Sequence, residues 1–133
     1  RQRARLARAL AQIDAGTATD APRFLLLDEP LAGLDLAQHV AVARLLARVA
    51  KRDRVGILVV HHDLNLVAWT CDDVLVLRQG RPLAQGEARA TLTAEVVEEA
   101  FAVRVHRLVA PWDAEHGYLA VDPRSHGEAT WPK

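Results

Sequence analysis

The stretch Phe24-Leu25-Leu26-Leu27-Asp28-Glu29-Pro30 decides the fold class. Four apolar residues run without a polar break and stop abruptly at two carboxylates and a proline. A short apolar run so bounded suits a strand buried on both faces, as strands of parallel sheets are. Pro30 and Gly33 then punctuate a turn. Beyond it, Leu36, Val40, Ala43 and Ala47, with Val42, Leu45, Leu46 and Val49, predict a helix from Leu36 to about Lys51. Ile57 to Val60 is a second unbroken apolar strand, and it ends in His61-His62-Asp63. Upstream, Leu6, Leu10 and Ile13 mark an amphipathic helix from Arg1 to about Ile13, and Asp14 to Pro22 reads as a loop. Downstream come a short helix over Leu64 to Thr70, a strand over Val74 to Leu77, and a hairpin turn at Gln79-Gly80-Arg81 leading into Pro82 to Ala84. A helix around Ala94 to Ala100 and a peripheral strand over Val103 to Val109 follow. Past Pro111 the pattern weakens. Residues from about 112 to 133 read as a C-terminal extension, partly disordered, with a frayed polar tail from Asp122. Helices alternating with buried strands predict an α/β fold, a parallel sheet with flanking helices.

Composition bounds the function. The chain has 133 residues, half of them hydrophobic, enough for one domain with a sizeable core. Seventeen basic residues balance 17 acidic ones. That argues against a dedicated nucleic-acid binder, whose affinity comes from excess Lys and Arg. A single cysteine excludes an intramolecular disulfide framework. No run approaches the roughly 18 apolar residues of a membrane-spanning helix, and no signal peptide opens the chain. There is no methionine, and the chain starts mid-pattern with Arg1-Gln2-Arg3-Ala4-Arg5-Leu6, so it reads as a fragment.

Asp28 and Glu29 emerge at the carboxyl end of a core strand, where open α/β sheets bind their ligands. Adjacent carboxylates there can divide two tasks. The first holds Mg²⁺ through its water shell, and the second polarises a water that attacks a γ-phosphate; a solvated turn is the alternative. Asp35 stands where it can N-cap the helix starting at Leu36. His62 ends the next apolar strand, so two parallel neighbours would bring it to the same edge as Glu29. A histidine there can donate a hydrogen bond to a γ-phosphate oxygen. Side chains alternate along a strand, so only one of His61 and His62 is expected to point at the site. A metal site built on both is set aside on that ground. Arg1, Arg3, Arg5 and Arg8 read as a solvated helix face rather than a nucleic-acid patch. Cys71 lies beside Asp72 and Asp73, a poor setting for a thiolate. Ser125, the single serine, has no nucleophile-elbow glycines around it. Trp69 reads as a helix anchor; Trp112 and Trp131 carry no assignment.

Taken in order, FLLLDEP (Phe24 to Pro30), AGLD (Ala32 to Asp35) and HHDL (His61 to Leu64) resemble the second half of an ABC-transporter nucleotide-binding domain. The opening RQRARLARAL is similar to the helix that follows that family's LSGGQ signature. The resemblance runs from Arg1 to about Arg107. It implies a P-loop NTPase (ABC ATPase) fold, of which this is the C-terminal half, with ATP and Mg²⁺ as cofactors. By it, Asp28 is the Walker B aspartate and metal ligand, and Glu29 the catalytic glutamate. Asp35 becomes the nucleotide-binding D-loop aspartate. His62, directly before Asp63-Leu64, becomes the catalytic switch histidine. The implied partners are a second nucleotide-binding subunit in a homodimer and transmembrane permease subunits, with no nucleic acid. The implied location is peripheral, on the cytoplasmic face of the inner membrane.

There are departures from the family pattern. Leu31-Ala32-Gly33 stands where the family often has Thr-Ser-Ala. No G-x-x-x-x-G-K-[ST] phosphate loop, Q-loop or signature glycines occur in the chain. The chain therefore reads as the hydrolytic half of a site, inactive alone. The loop Asp14 to Pro22, HDLNLVA (His62 to Ala68) and VRVHR (Val103 to Arg107) resemble heme (hemin) importer ATPases. Two other readings stay open. An ABC-type ATPase acting on nucleic acids would carry long coiled-coil or basic insertions in neighbouring sequence. A non-catalytic truncated interaction module would bind a partner without turnover, and nucleotide-binding assays separate it from an autonomous ATPase.

Overall fold

A computed structural model of the chain describes residues 2–15, 22–53, 55–111 and 113–124. Several sequence readings lie outside them: Arg1, most of the predicted loop before Pro22, Trp112, Ser125, Trp131 and the tail beyond Arg124. The side chains of Arg3 and Arg5 lie outside too, whereas Arg8 is exposed, as a solvated face requires. Two compact units divide the chain, residues 1–63 and residues 64–133.

The first unit contains α1 (Gln2–Ala15), β1 (Arg23–Asp28), α2 (Leu36–Asp53) and β2 (Val55–Val60). β1 and β2 pair in parallel, with Phe24 opposite Gly56 and Asp28 opposite Val60. Parallel neighbours need a crossover, and α2 supplies it. Leu6 of α1, Leu46 of α2, Leu25 and Val55 form the buried core, with Leu10, Ile13, Leu27, Val42, Ile57 and Val59 packed against it. Leu36, the first apolar position of the α2 pattern, is instead exposed.

Burial of the strands on both faces is not what this chain shows. Side chains alternate along each strand, so the core takes Leu25, Leu27, Ile57 and Val59 on one face. The opposite face leaves Phe24 71%, Leu26 73%, Leu58 63% and Val60 57% exposed. The Phe24 ring lies across Gly56, where an added Cβ would stand 2.6 Å from its Cδ1.

The second unit contains α3 (Leu64–Thr70), β3 (Asp73–Arg78), β4 (Arg81–Glu87), α4 (Ala88–Thr91), α5 (Ala94–Phe101), β5 (Val105–Ala110) and β6 (Asp113–Val121). Both its sheets are antiparallel pairs, β3 with β4 and β5 with β6. Among the described residues, parallel pairing is thus confined to β1 and β2. The β3–β4 turn has positive φ at Gln79 and Gly80, the backbone of the tight turns whose twist matches a hairpin. Thr93 caps α5 by accepting from the Val96 N–H, and Glu87 caps α4 through the Arg89 and Ala90 N–H groups. Val76, Leu92, Val97 and Val105 form the core. Trp69 is half exposed rather than a buried anchor. Cys71 is half-buried, and burial pushes its thiol pKa up.

The weak pattern past Pro111 conceals β6. Its outer edge is held by a side chain instead of a strand. Asn65 Nδ2 donates to the Leu119 carbonyl at 3.0 Å, and the Leu119 N–H donates to Asn65 Oδ1 at 2.8 Å. Asn65→Ala strands both backbone groups, each costly to leave unpaired, and is expected to destabilise this unit by about 1–3 kcal/mol. A thermal melt measures the loss, and hydrogen exchange at the Leu119 amide localises it. Unchanged protection at that amide would show that the bracket contributes nothing.

Candidate functional site

The parallel register places the carboxyl ends of β1 and β2 side by side, and the candidate residues follow from it. The Glu29 N–H donates to the Val60 carbonyl at 3.1 Å, extending the β1–β2 ladder by one bond. The chain then turns sharply. Ala32 N–H donates to the Glu29 carbonyl and Leu34 N–H to that of Leu31, with Pro30 and Leu31 buried. Glu29 takes φ +43°, a left-handed conformation that costs a non-glycine residue about 1–2 kcal/mol. Gly33, at φ +75°, takes the same region without that cost.

Both histidines reach Glu29. His62 Nδ1 lies 2.8 Å from Oε1, and His61 Nδ1 lies 3.3 Å from Oε2. The expectation that the rings diverge is overturned, for a simple reason. β2 ends at Val60, so neither histidine belongs to the pleat whose alternation would separate them. Their settings differ sharply: the His61 side chain is 6% exposed and that of His62 79%. The rings meet edge to face, 5.3 Å apart. The hydrogen bond from His62 holds the Glu29 carboxyl below its ordinary pKa, and the charges of the two rings add to the effect. The same bond raises the pKa of His62. Strand alternation hides His61 from the sequence reading, because that rule does not extend past Val60.

The other predicted residues are placed separately. Asp28 is exposed at the same edge, opposite Val60. Asp35 caps α2: its Oδ1 accepts from the Gln38 N–H at 2.8 Å, and its Oδ2 accepts from the Gln38 side-chain amide. Neither aspartate joins the cluster of Glu29, His61 and His62. His39, which no sequence pattern marked, donates its Nε2–H to the Leu31 carbonyl at 2.9 Å. It ties the turn after Glu29 to α2. A histidine one turn into a capped helix carries no signal of its own, and only the folded turn reveals its use.

No family model matches the chain. Similarity to curated proteins is clear. The hemin import ATP-binding protein HmuV of Rhizobium meliloti (strain 1021) is 42% identical over 110 residues, covering 83% of this chain and 42% of that protein. Its counterpart in Hydrogenovibrio crunogenus is 40% identical over 111 residues, covering 83% of this chain and 43% of that protein. In Bordetella avium the figures are 38% over 120 residues, 90% and 45%. A solved metal-chelate type ABC transporter in an inward-facing conformation superposes with a TM-score of 0.68 at 25% identity, covering 77% of this chain and 41% of that one. The chain carries the fold of the ABC-transporter ATPases and matches the sequences of their ATP-binding subunits. This ABC-type chain spans less than half the length of each of these relatives. Among its described residues no helix is long and apolar enough to cross a membrane.

Proposed function

We propose that this ABC-type chain contributes the hydrolytic residues of an ATP-driven importer, with hemin as the cargo. The observation that carries the reading is the Glu29–His62 contact at the carboxyl edge of a parallel pair. It is supported by the similarity to hemin import ATP-binding proteins. Asp28, an exposed hard oxygen donor, fits Mg²⁺ held through water. When bound, the ion neutralises charge on the nucleotide phosphates. Glu29 accepts the proton of the attacking water, and His62 turns from Glu29 to donate to the γ-phosphate. While both rings hold the carboxylate, Glu29 is a weak base; release of His62 to the phosphate frees it. Asp35 fixes the start of α2 and, in this reading, faces nucleotide across a homodimer of ATP-binding subunits. The partners are membrane permease subunits, and the location is the cytoplasmic face of the membrane.

The phosphate-cradling loop is not among these residues. The exposed face of Phe24, Leu26, Leu58 and Val60 is the surface against which the remainder of a relative-length domain packs. The 133-residue chain alone is therefore expected to show no micromolar binding of Mg-ATP by calorimetry and no hydrolysis. Joined to the unmatched portion of the Rhizobium meliloti protein, it is expected to hydrolyse ATP. A chimera that folds and binds nucleotide but does not turn it over would remove the ATPase reading. Micromolar ATP binding by the chain alone would remove the claim that it lacks the binding half.

A further inference from the structure

We propose that Glu29, His61 and His62 together form a site for a divalent transition-metal ion, with Zn²⁺ as its representative. One ligand atom from each residue lies within 4.8 Å of the other two. Both rings present Nδ1 to the same carboxylate, each to a different oxygen. Two imidazoles and one carboxylate make a three-ligand set of the kind that leaves a fourth position open on zinc. Donors each about 2.0–2.1 Å from a tetrahedral ion stand roughly 3.3 Å apart. The His61–Glu29 separation is already 3.3 Å, and the His62–Glu29 separation of 2.8 Å needs only a small opening.

Ligand chemistry separates this site from the one expected to hold Mg²⁺. Imidazole nitrogen favours zinc, nickel and copper, whereas Mg²⁺ takes oxygen ligands and keeps its water. Asp28 lies outside the cluster, so the two sites do not share a ligand. On His61 the reachable nitrogen is Nδ1, because Nε2 is buried with no partner. His62 is the open side through which an ion enters. Each ring directs its Nδ1 at Glu29. To bind an ion at Nδ1 each ring releases the Nδ1 proton to solvent and, as a neutral imidazole, carries its one proton on Nε2, in solvent for His62 and in the interior for His61. An ion seated here occupies the Glu29 carboxylate, so under the proposed function it would stop hydrolysis. That consequence rests on the functional reading, whereas binding does not.

The test is titration of the 133-residue chain with Zn²⁺ by calorimetry and with Co²⁺ by visible absorption. Glu29→Gln, His61→Gln and His62→Ala are compared, with folding followed by circular dichroism. His106→Ala serves as control, since His106 lies 3.9 Å from Asp122, another histidine–carboxylate pair. One ion per chain is expected, with the intense spectrum of four-coordinate cobalt. Each of the three substitutions should weaken binding at least about tenfold, because losing even an outer partner of a ligand costs 10–100-fold. His106→Ala should change nothing. Absence of binding, binding that survives the three substitutions, or binding lost with His106→Ala would each overturn the proposal. If His61→Gln fails to fold, the variants at Glu29 and at exposed His62 decide alone. Metal binding that persists in a chimera unable to hydrolyse ATP would refute the functional reading and leave the site standing.

Discussion

Glu29→Gln, in a full-length ATPase carrying this sequence, is expected to leave ATP binding intact and slow hydrolysis by at least about a hundredfold. General-base contributions are typically 10²–10⁴-fold, and the amide cannot take the proton of the attacking water. The substitution is nearly isosteric, and the Glu29 N–H bond to Val60 is a backbone bond that it does not touch. The left-handed turn should therefore survive. Steady-state turnover and nucleotide affinity are the two measurements. Near-normal turnover would take Glu29 out of the base role. A parallel loss of affinity would mean that the carboxylate had been holding the turn, not the water.

The two histidines are expected to part company under substitution, although both touch Glu29. His62 is 79% exposed at the side chain, so His62→Ala opens no cavity and should leave the melting temperature nearly unchanged. Its loss should fall on the rate. Removing one preorganised donor to developing charge costs roughly 10²–10³-fold. His61 is enclosed, and His61→Ala should cost about 1–3 kcal/mol of stability, the usual range for a disruptive single substitution. Its rate loss should be smaller, because it holds Glu29 at 3.3 Å without facing substrate. ATPase rate at saturating nucleotide, with a thermal melt of each variant, separates the two. An inactive His61→Ala beside an active His62→Ala would exchange their roles. Two active variants would end the switch-histidine assignment.

Much of this is legible in the sequence alone. The apolar runs at Phe24 to Leu27 and Ile57 to Val60 are strands, and the intervening 3.6-residue pattern is α2, because side-chain periodicity follows directly from backbone geometry. The hairpin after Leu77 follows from Gln79-Gly80, where glycine accepts a positive φ without strain. β6 was not legible. Its Asp113–Val121 sequence has little periodicity, and a side chain 54 positions upstream holds its edge. α4 escaped as well, since four residues are too few to display a helical period.

By itself the sequence determined the residue types that can do chemistry and their order along the chain: Asp28 and Glu29 after one strand, His61 and His62 after the next. It also made a parallel arrangement of the two strands the expected one, since a helix-length segment joins two apolar runs; that they are direct neighbours is given by the pairing of Arg23–Asp28 with Val55–Val60. Only the tertiary structure decided that both histidines reach one carboxylate. A strand's period of two holds while the ladder holds, and the ladder from β1 reaches no further than the Val60 carbonyl. Past that bond the backbone is free of the pleat, and burial of the His61 ring, not alternation, sets where Nδ1 points. The same distinction explains the half-covered sheet. An apolar run records that a face can be buried, whereas what covers it is a property of whatever packs there, and here Phe24, Leu26, Leu58 and Val60 remain open.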